Sequence, residues 1–309
     1  MKLEQILDDI RSDRVKKVIF DSDTYNEMDD QYAIAYALGC PKMEVIALNA
    51  VLFHNPRSES PADGMEKSYE EIFRVMEVTH TTGRCPVFRG CPVPISTMPD
   101  FAPVDSPATQ FIIKTAMESD EIIYILATGA ITNVTSAILM EPAIKEKICV
   151  IWLGCNCLGA EHTFEFNLVQ DLKAGQILLN SGVPLVLLPA FGEPGYGTQE
   201  LKARKSDFQV MTGDSDACVF FRDTLPAEFD HEQFSYSNTP GVWERIIWDV
   251  AAPAVLSVPD AFRFSVIPAP VITDDLHLVT DSTRHKIIYM ETLDPRMIFP
   301  DTFTCIGSL

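Results

Sequence analysis

Residues 15–30 read VKKVIFDSDTYNEMDD, an apolar run that passes directly into a loop crowded with acids. The run at 15–20 predicts a short strand buried on both faces. The ten residues that follow it include five acids, Asp21, Asp23, Glu27, Asp29 and Asp30. Helical spacing begins near Asp30, so the stretch predicts a strand, a loop and a helix in that order. This is the first half of a βαβ unit, in which the chain returns as a parallel strand.

The same alternation of strand and helix continues outward along the chain. Apolar runs rich in Val and Ile predict buried strands at 15–20, 43–51, 121–127, 148–154 and 183–189. Helical spacing predicts helices at 30–38, 65–78, 107–118, 133–140 and 171–181. Such alternation is typical of the α/β class with right-handed crossovers. We therefore predict a mostly parallel, Rossmann-like open sheet flanked by helices, with ligands bound at the carboxyl ends of its strands.

The remaining segments interrupt this pattern without marking a domain boundary. The Pro-rich stretch 85–107 predicts an irregular surface connection. Residues 190–245 predict loops or helical excursions that cover the site, and strands are expected again near 262–268 and 285–291. Residues 241–256 have helical spacing. With no linker or repeat, we expect residues 1–309 to form one domain.

The composition excludes several classes of partner. The chain has 309 residues, with 24 Lys+Arg against 44 Asp+Glu and a net charge of −20, which repels nucleic acid and anionic membranes. No run approaches the roughly 18 apolar residues of a membrane span. Eight cysteines are too sparse for a disulfide scaffold, and the pair Cys155 and Cys157 lacks the usual two-residue spacing of zinc and redox motifs. We predict buried free thiols and a cytoplasmic protein.

The five acids of the first loop require an explanation, because two carboxylates about 4 Å apart repel by roughly 4 kcal/mol at an effective dielectric constant near 20. One interpretation is a hard divalent cation with oxygen ligands. Another is that Asp29 and Asp30 only begin a helix while the other acids face solvent. An EF-hand is excluded, because the sixth loop position is Asn26 rather than Gly.

A third interpretation of the loop is a phosphatase. The sequence Asp21-Ser22-Asp23-Thr24 resembles the DxDxT motif of the haloacid-dehalogenase superfamily, in which the first Asp attacks phosphorus beside Mg²⁺. That interpretation leaves the tandem acids Asp29 and Asp30 unexplained.

Three later segments carry polar groups at predicted strand ends or inside apolar runs. Thr128-Gly129 forms a tight turn after the strand at 121–127, and a backbone carbonyl there could bind a hard cation. Glu165-Phe166-Asn167 precedes the helix at 171–181 and could present two polar groups to a polyhydroxyl ligand. Trp248-Asp249 lies in an apolar run, where an Asp is expensive to bury unless it is paired or bound to metal.

In this order the segments resemble the calcium-dependent nucleoside hydrolases, the inosine-uridine and purine-preferring N-ribohydrolases. That family carries DxDPGxDDAxA after its first strand, PTGxLTN after a middle strand, EFN before a helix, and a late His-Asp or Trp-Asp pair. The resemblance spans about residues 15–257. It implies a hydrolase that cleaves the N-glycosidic bond of a ribonucleoside to ribose and free base, with purines favoured and inverting attack by water.

The resemblance also implies roles for individual residues. Calcium ligands would be the side chains of Asp23, Asp30 and Asp249 and the carbonyl of Thr128, with Asp23 also the general base toward the attacking water. Substrate contacts would come from Asp29, His54, Asn55, Glu165, Asn167 and Trp248. Of these, Asp29 and Asn167 would hold the ribose hydroxyls, Glu165 would lie near the 5′ end of the sugar, and Trp248 would stack on the base.

The sequence departs from the family pattern in two places. Thr24-Tyr25-Asn26-Glu27 replaces a Pro-Gly turn and is two residues longer, so Tyr25 and Glu27 are further candidates to reach the ligand. Gly159 stands where the family has an Asn, so Glu161 or His162 would have to replace that sugar contact. The resemblance further implies a homodimer or homotetramer. A Mg²⁺ phosphohydrolase using Asp21, or a calcium- and ribose-binding protein without turnover, is the alternative function.

Overall fold

A computed structural model of the protein describes residues 3–229, 236–237 and 242–309. Its strands are β1 (Lys16–Ser22), β2 (Met43–Ala50), β3 (Val87–Phe88), β4 (Ile123–Ala127), β5 (Ile148–Leu153), β6 (Leu185–Leu188), β7 (Lys202–Arg204), β8 (Glu244–Ile246), β9 (Phe262–Pro268), β10 (Val271–Ile272), β11 (Leu278–Val279) and β12 (Lys286–Leu293). Its α-helices are α1 (Leu3–Arg11), α2 (Asp29–Gly39), α3 (Pro61–Val78), α4 (Pro107–Glu118), α5 (Thr132–Met140), α6 (Phe166–Gln170), α7 (Leu172–Ser181), α8 (Lys205–Phe208), α9 (Asp216–Val219), α10 (Leu225–Glu228), α11 (Ala251–Ser257) and α12 (Pro295–Gly307).

Within the described residues, the central sheet has eight strands in the order β3-β2-β1-β4-β5-β6-β12-β9. Seven of them run parallel, and β9 at one edge pairs antiparallel with β12. The prediction of a mostly parallel open sheet flanked by helices is confirmed. The strand order reverses direction between β1 and β4, which is where α/β sheets of this type bind ligands.

The predicted strands and helices of the first 190 residues are confirmed to within a few residues. The strands β1, β4, β5 and β6 and the second half of β2 are almost wholly buried, because helices cover both faces of the sheet. Two helices begin at a Ser-Pro pair whose Ser side chain accepts a backbone N–H three residues on. Ser60 caps α3 through Asp63 at 3.2 Å, and Ser106 caps α4 through Thr109 at 3.1 Å.

The predicted helix over residues 241–256 is wrong for its first half. Residue 241 lies outside the described residues, and residues 244–246 form β8, which pairs antiparallel with β7. A short 3₁₀ turn, Trp248–Val250, follows, and only Ala251–Ser257 is α-helical. Pairing with β7 selects the strand over residues 244–246, although the local spacing favours a helix.

Other predictions outside the core are confirmed in part. Residues 85–107 are irregular apart from β3 and two 3₁₀ turns. Of the predicted segment 190–245, residues 190–229 hold loops and short helices, as expected, but also the strand β7, and residues 230–235 and 238–241 lie outside the described residues. The strands expected near 262–268 and 285–291 are β9 and β12. The helix α1, which the sequence analysis does not predict, buries Ile6 and Ile10 on one face.

All eight cysteines carry buried free thiols, as predicted. Within the described ranges, no helix combines the length and apolarity needed to cross a bilayer.

Candidate active site

The acidic loop lies at the carboxyl edge of the sheet because the parallel strands are held in register there. Asp21 on β1 lies opposite Asn49 on β2 and Ala127 on β4. The backbone N–H of Thr128 donates to the carbonyl of Asp21 at 2.9 Å, which brings the turn after β4 against the end of β1. The residues that follow three neighbouring strands therefore meet at one place.

Four carboxylates from this edge and from the turn before α11 are gathered together in the interior. Ligand-capable oxygens of Asp29, Asp30 and Asp249 lie within 4.8 Å of one another, and all three side chains are buried. Asp23 is fully buried beside them. The acids of the loop thus point inward, which contradicts the interpretation that all but Asp29 and Asp30 face solvent; Glu27 alone among the five is partly exposed.

Burial and mutual repulsion raise the pKa values of these acids. Burial raises the pKa of Asp23 well above its usual range, and repulsion from Asp30 and Asp29 adds to the shift. Burial also raises the pKa of Asp249 well above its usual range, with repulsion from Asp29, Asp30 and Asp23. For Asp29 the causes are burial, then repulsion from Glu27 and Asp30. A positive charge at the centre of the group would remove this repulsion.

The hydrogen bonds of the cluster leave room for such a charge. Asp30 Oδ1 accepts from Ser22 Oγ at 2.6 Å and from Thr128 Oγ1 at 2.8 Å. Neither carboxylate oxygen of Asp23 has a hydrogen-bond partner among the described residues, although both are buried. Buried oxygens without donors are expensive unless a cation or a proton satisfies them. Hard oxygen donors of this kind suit a divalent cation such as Ca²⁺ or Mg²⁺.

Asp21 is separate from this cluster in its contacts. It is fully buried, and its Oδ1 accepts a hydrogen bond from Asn49 Nδ2 at 2.6 Å. Burial raises its pKa to about 7, and the hydrogen bonds of Asn49 and Asn133 oppose that shift. Asp21 is not among the residues that line the neighbouring cavity, and Asn49 already donates to one of its oxygens.

A cavity of about 610 Å³ opens above the carboxylates. Segments that follow β1, β2, β4, β5 and β6 and the segment around β8 supply its walls, which consist of Asn26, Glu27, Asp29, Asn55, Pro56, Arg57, Thr128, Leu153, Glu165, Phe166, Asn167, Ala190, Phe191, Tyr236, Arg245, Trp248 and Asp249. Of the site residues suggested by sequence, Asp29, Asn55, Thr128, Glu165, Asn167, Trp248 and Asp249 are in this wall. Asp23 and Asp30 lie behind it.

Some residues expected in the site lie elsewhere. His54 is exposed and does not line the cavity, and its backbone N–H donates to Gln170 Oε1 at 2.8 Å. Glu161 and His162, considered as replacements for the Asn at Gly159, are also exposed and outside the cavity wall. Of the two residues expected after β2, His54 and Asn55, Asn55 reaches the cavity, and its Nδ2 donates to Asn26 Oδ1 at 2.7 Å.

The EFN segment is fixed by backbone donors. Glu165 caps α6 and accepts hydrogen bonds from the backbone N–H groups of Asn167, Leu168 and Cys155 at 2.9–3.1 Å. Burial raises the pKa of Glu165 to about 7 despite these three donors. Asn167 Nδ2 donates to the carbonyl of Leu153 at 3.0 Å. Glu165 therefore both caps α6 and forms part of the cavity wall, and Asn167 in the first turn of that helix lines the cavity as well.

An aromatic group closes the side of the cavity around Trp248. The ring of Phe191 meets the indole edge to face at 4.8 Å, and the ring of Tyr236 does so at 5.9 Å. Phe191 is 42% exposed, so one ring of the group faces the open cavity. Flat apolar surfaces of this kind bind aromatic rings by stacking or edge contacts.

Sequence reasoning missed Arg57, Phe191, Tyr236 and Arg245 in the cavity wall. Arg57 and Phe191 occur in loops without a recognisable motif, so no sequence pattern indicates that they line the cavity. Arg245 had a signal, because a charged residue inside the apolar run 243–248 must be paired if it is buried. Glu27, a candidate from the sequence, does line the cavity, whereas Tyr25 packs its ring on Arg57 at 4.5 Å.

Comparison with known proteins places this geometry in a family. The curated pyrimidine-specific ribonucleoside hydrolase RihB of Escherichia coli (strain SE11) is 27% identical over 196 residues, which is 56% of this chain and 59% of RihB. The pyrimidine-specific ribonucleoside hydrolase RihA of Escherichia coli O1:K1 / APEC is 27% identical over 182 residues, 52% of this chain and 56% of RihA. The matched stretches thus span little more than half of these relatives.

Solved structures match over nearly the whole chain. The purine-preferring ribonucleoside hydrolase from Gardnerella vaginalis superposes with a TM-score of 0.68 at 20% identity, over 94% of this chain and 98% of that one. At this identity the match supports the fold alone. The sequence model of the inosine-uridine preferring nucleoside hydrolases matches residues 18–292. Because that match covers most of the chain, including every segment of the cavity wall, the protein belongs to the inosine-uridine preferring nucleoside hydrolase family.

Proposed function

We propose that the protein hydrolyses the N-glycosidic bond of ribonucleosides, releasing ribose and a free base. The observation that carries the proposal is the cluster of four buried carboxylates at one end of a cavity whose other side is aromatic. Carboxylates stabilise the positive charge that develops on the sugar as the bond breaks, and an aromatic wall suits the base. Membership of the nucleoside hydrolase family supports the same assignment.

The cluster would hold Ca²⁺ through the side chains of Asp23, Asp30 and Asp249 and the carbonyl of Thr128. The two unpartnered oxygens of Asp23 and the repulsion among the acids fit an ion with hard oxygen ligands. When bound, the ion supplies a positive charge that orients the sugar hydroxyls and makes the attacking water more acidic.

The protein's own groups would carry the proton and hold the sugar. Asp23 would accept the proton that the attacking water loses as its oxygen bonds to the anomeric carbon. Asp29 and Asn167 line the cavity beside the cluster and would hold the ribose hydroxyls. Glu165 would lie near the 5′ end of the sugar. Of the two polar contacts expected after β2, Asn55 is the better candidate, since His54 does not line the cavity.

Purine ribonucleosides are the favoured substrates in this proposal, because the indole of Trp248 and its neighbours Phe191 and Tyr236 offer a broad aromatic surface. The two E. coli relatives are named pyrimidine-specific and the Gardnerella protein purine-preferring, so their names alone do not choose between the bases. The proposal rests on the wall of this cavity.

We further propose that residues 1–309 form one domain, that the protein acts in the cytoplasm, and that it assembles as a homodimer or homotetramer. Its partner is a small ribonucleoside rather than nucleic acid or a membrane, in keeping with its net charge of −20. Light scattering coupled to size-exclusion chromatography measures the assembly.

A reducing-sugar assay over inosine, guanosine, adenosine, uridine and cytidine, with and without chelator, tests the function. We expect ribose release that the chelator abolishes and that added Ca²⁺ restores. Release of phosphate from esters but no ribose would instead indicate a phosphohydrolase that uses Asp21. Tight nucleoside binding without product over hours would indicate a binding protein.

A further inference from the structure

An ion pair forms part of the cavity wall beside the aromatic group. Arg245 Nη2 lies 2.7 Å from Glu27 Oε1, and the two side chains are only 2% and 23% exposed. Both residues line the cavity. The pair joins the loop after β1 to the strand β8, two segments far apart in the sequence.

The position of the guanidinium follows from its strand. Arg245 is the middle residue of β8, opposite Ala203 on β7, and Trp248 follows it by three residues. Tyr236 is tied to the same strand, because its backbone N–H donates to the carbonyl of Glu244 at 2.9 Å. Tyr236, Arg245 and Trp248 therefore lie in one stretch of the cavity wall. Glu27 also interacts electrostatically with Asp29, so the ion pair adjoins both the aromatic group and the carboxylate cluster.

A purely structural brace would not require charge at this place. Buried ion pairs are about as stable as well-packed apolar residues of the same volume, because desolvation offsets their attraction. A guanidinium buried in the wall of a cavity is, by contrast, well suited to stabilise negative charge that appears there during a reaction. Cleavage of the N-glycosidic bond produces such charge on the departing base.

We propose that Arg245, oriented by Glu27, stabilises the departing base and makes 6-oxopurine ribonucleosides the preferred substrates. The inference rests on the function proposed above. Arg245 touches the leaving group in this assignment, and Glu27 acts through Arg245 as a positioning residue. The proposal also accounts for the elongated turn at residues 24–27, since that turn supplies Glu27.

The step can be written with its electrons and protons balanced. The bond between the anomeric carbon and N9 of the purine breaks, and its electron pair stays with the base and spreads over the ring to O6 and N7. The guanidinium of Arg245 donates hydrogen bonds to that edge. Water adds its oxygen to the anomeric carbon and gives its proton to Asp23, and the purine anion takes one proton from solvent. Ribose and neutral base are the products.

The preference for 6-oxopurines follows from the hydrogen-bonding groups on the two ring edges. O6 and N7 of a 6-oxopurine are both acceptors and fit the two-pronged donor of an arginine. Adenine has an amino group in place of O6. That group is a hydrogen-bond donor, as the guanidinium is, so the two cannot form a hydrogen bond with each other. An arginine in this wall would thus favour inosine and guanosine over adenosine.

The test compares inosine with adenosine and with 4-nitrophenyl β-D-ribofuranoside, whose leaving group departs without assistance. For the wild type we expect a kcat/KM at least about tenfold higher for inosine than for adenosine. For Arg245→Met we expect the ratio of kcat for inosine to kcat for the aryl riboside to fall about 100-fold, the effect of losing one donor to a developing negative charge. Arg245→Lys keeps the charge and should recover part of that ratio, and Glu27→Gln should lower it by less than Arg245→Met does.

Arg204→Met is the matched control, because Arg204 pairs with Glu244 on the neighbouring strand and does not line the cavity; it should leave the ratio unchanged. Equal losses on inosine and the aryl riboside in Arg245→Met would overturn the proposal and make Arg245 a brace. If Arg245→Met does not fold, as judged by thermal unfolding, unchanged ratios in Arg245→Lys and Glu27→Gln overturn it in the same way. A wild type that cleaves neither riboside refutes the proposed function itself, whereas cleavage of both with unaltered ratios refutes this inference alone.

Discussion

The carboxylate of Asp23 is buried with no hydrogen-bond partner on either oxygen among the described residues, while its neighbour Asp30 accepts from two hydroxyl groups. The difference separates two kinds of buried acid. Asp30 is satisfied on one side by Ser22 and Thr128, whereas Asp23 depends on a proton or a cation. This makes Asp23 the residue whose behaviour reports most directly on the ion.

Replacing Asp23 or Asp249 by Ala should abolish ribose release and weaken Ca²⁺ binding, because each substitution removes a carboxylate ligand. We expect kcat to fall by at least about 1,000-fold for Asp23→Ala, which also loses the general base. Calorimetric titration with Ca²⁺ measures the binding. Normal Ca²⁺ affinity in both variants would refute the ligand assignment.

The stability gained from Ca²⁺ should depend on pH. The folded-state pKa values of Asp23, Asp29 and Asp249 are raised by burial and repulsion. An acid whose pKa is raised in the folded state stabilises the fold at pH values below its unfolded-state pKa, which is near 4. That contribution is lost as the pH rises through the folded-state pKa. The metal-free protein is therefore destabilised at neutral pH, where Ca²⁺ removes the repulsion.

We expect a larger Ca²⁺-induced increase in Tm at pH 7.5 than at pH 5, measured by thermal unfolding with and without chelator. Mg²⁺, as a smaller ion that holds its waters more tightly, should give a smaller increase at equal concentration. If the increase in Tm is the same at the two pH values, the ion does not act by removing the repulsion among these carboxylates.

Trp248→Ala should affect purine substrates more than pyrimidine substrates. Stacking on an aromatic side chain contributes about 1–3 kcal/mol per base, so kcat/KM for inosine should fall roughly 10- to 100-fold. The loss for uridine should be smaller. Trp243→Ala is a control, since Trp243 packs on Phe208 and does not line the cavity. Equal losses on inosine and uridine would remove the stacking assignment.

At the scale of secondary-structure elements, the turn between β4 and α5 sets the position of Asp23. A Cβ atom on Gly129 would lie 3.1 Å from Asp23 Cγ and 3.1 Å from Val51 Cγ1, closer than ordinary packing allows. The indole of Trp152 also donates to the carbonyl of Gly129 at 3.2 Å, which fixes the turn. The turn therefore cannot move away easily.

Gly129→Ala should consequently displace Asp23 by a few tenths of an ångström and lower kcat about tenfold, because small misplacements of reacting groups are costly. Ser106→Ala is the control for a general loss of stability. It removes the N-cap of α4 and should lower the free energy of unfolding by about 1 kcal/mol without changing kcat. An unchanged kcat in Gly129→Ala would contradict the role of the turn.

The same scale shows how much the sequence could predict. The buried strands and covering helices of the first 190 residues followed from apolar runs and helical spacing, because each element there has a strong local pattern. The segment 241–256 did not, since its helical spacing competed with strand pairing to Lys202–Arg204, which lies some forty residues away. Short elements of this kind depend on tertiary partners.

Within the candidate site, the residues carried by motifs could be predicted and the residues in loops could not. Asp29, Glu165 and Trp248 stand in recognisable segments, and the structure brings all three to one cavity. His54 was chosen only by its place after a strand and lies outside the wall. Phe191 and Arg57 enter the wall through loop conformations that no local pattern specifies.

At the scale of the whole molecule, the parallel sheet converts separation in sequence into proximity in space. Asp23 and Asp249 are more than 200 residues apart in the chain, and they interact electrostatically because β1, β4 and the turn before α11 meet at the carboxyl edge. The wall of the resulting cavity has an acidic part, which includes Asp29 and Asp249, and an aromatic part around Trp248. That division matches a ligand with a polyhydroxyl half and a flat half.

The most direct test of the account is a Ca²⁺ titration of chelator-stripped protein in which ribose release from inosine is measured at each ratio of ion to chain. We predict no release without the ion and a rise to a plateau near one Ca²⁺ per chain, since Asp29, Asp30 and Asp249 form one cluster with which Asp23 interacts electrostatically. Ribose release that persists at full rate in the stripped protein, or that never appears at any ratio, would contradict the claim that these carboxylates serve a single catalytic ion.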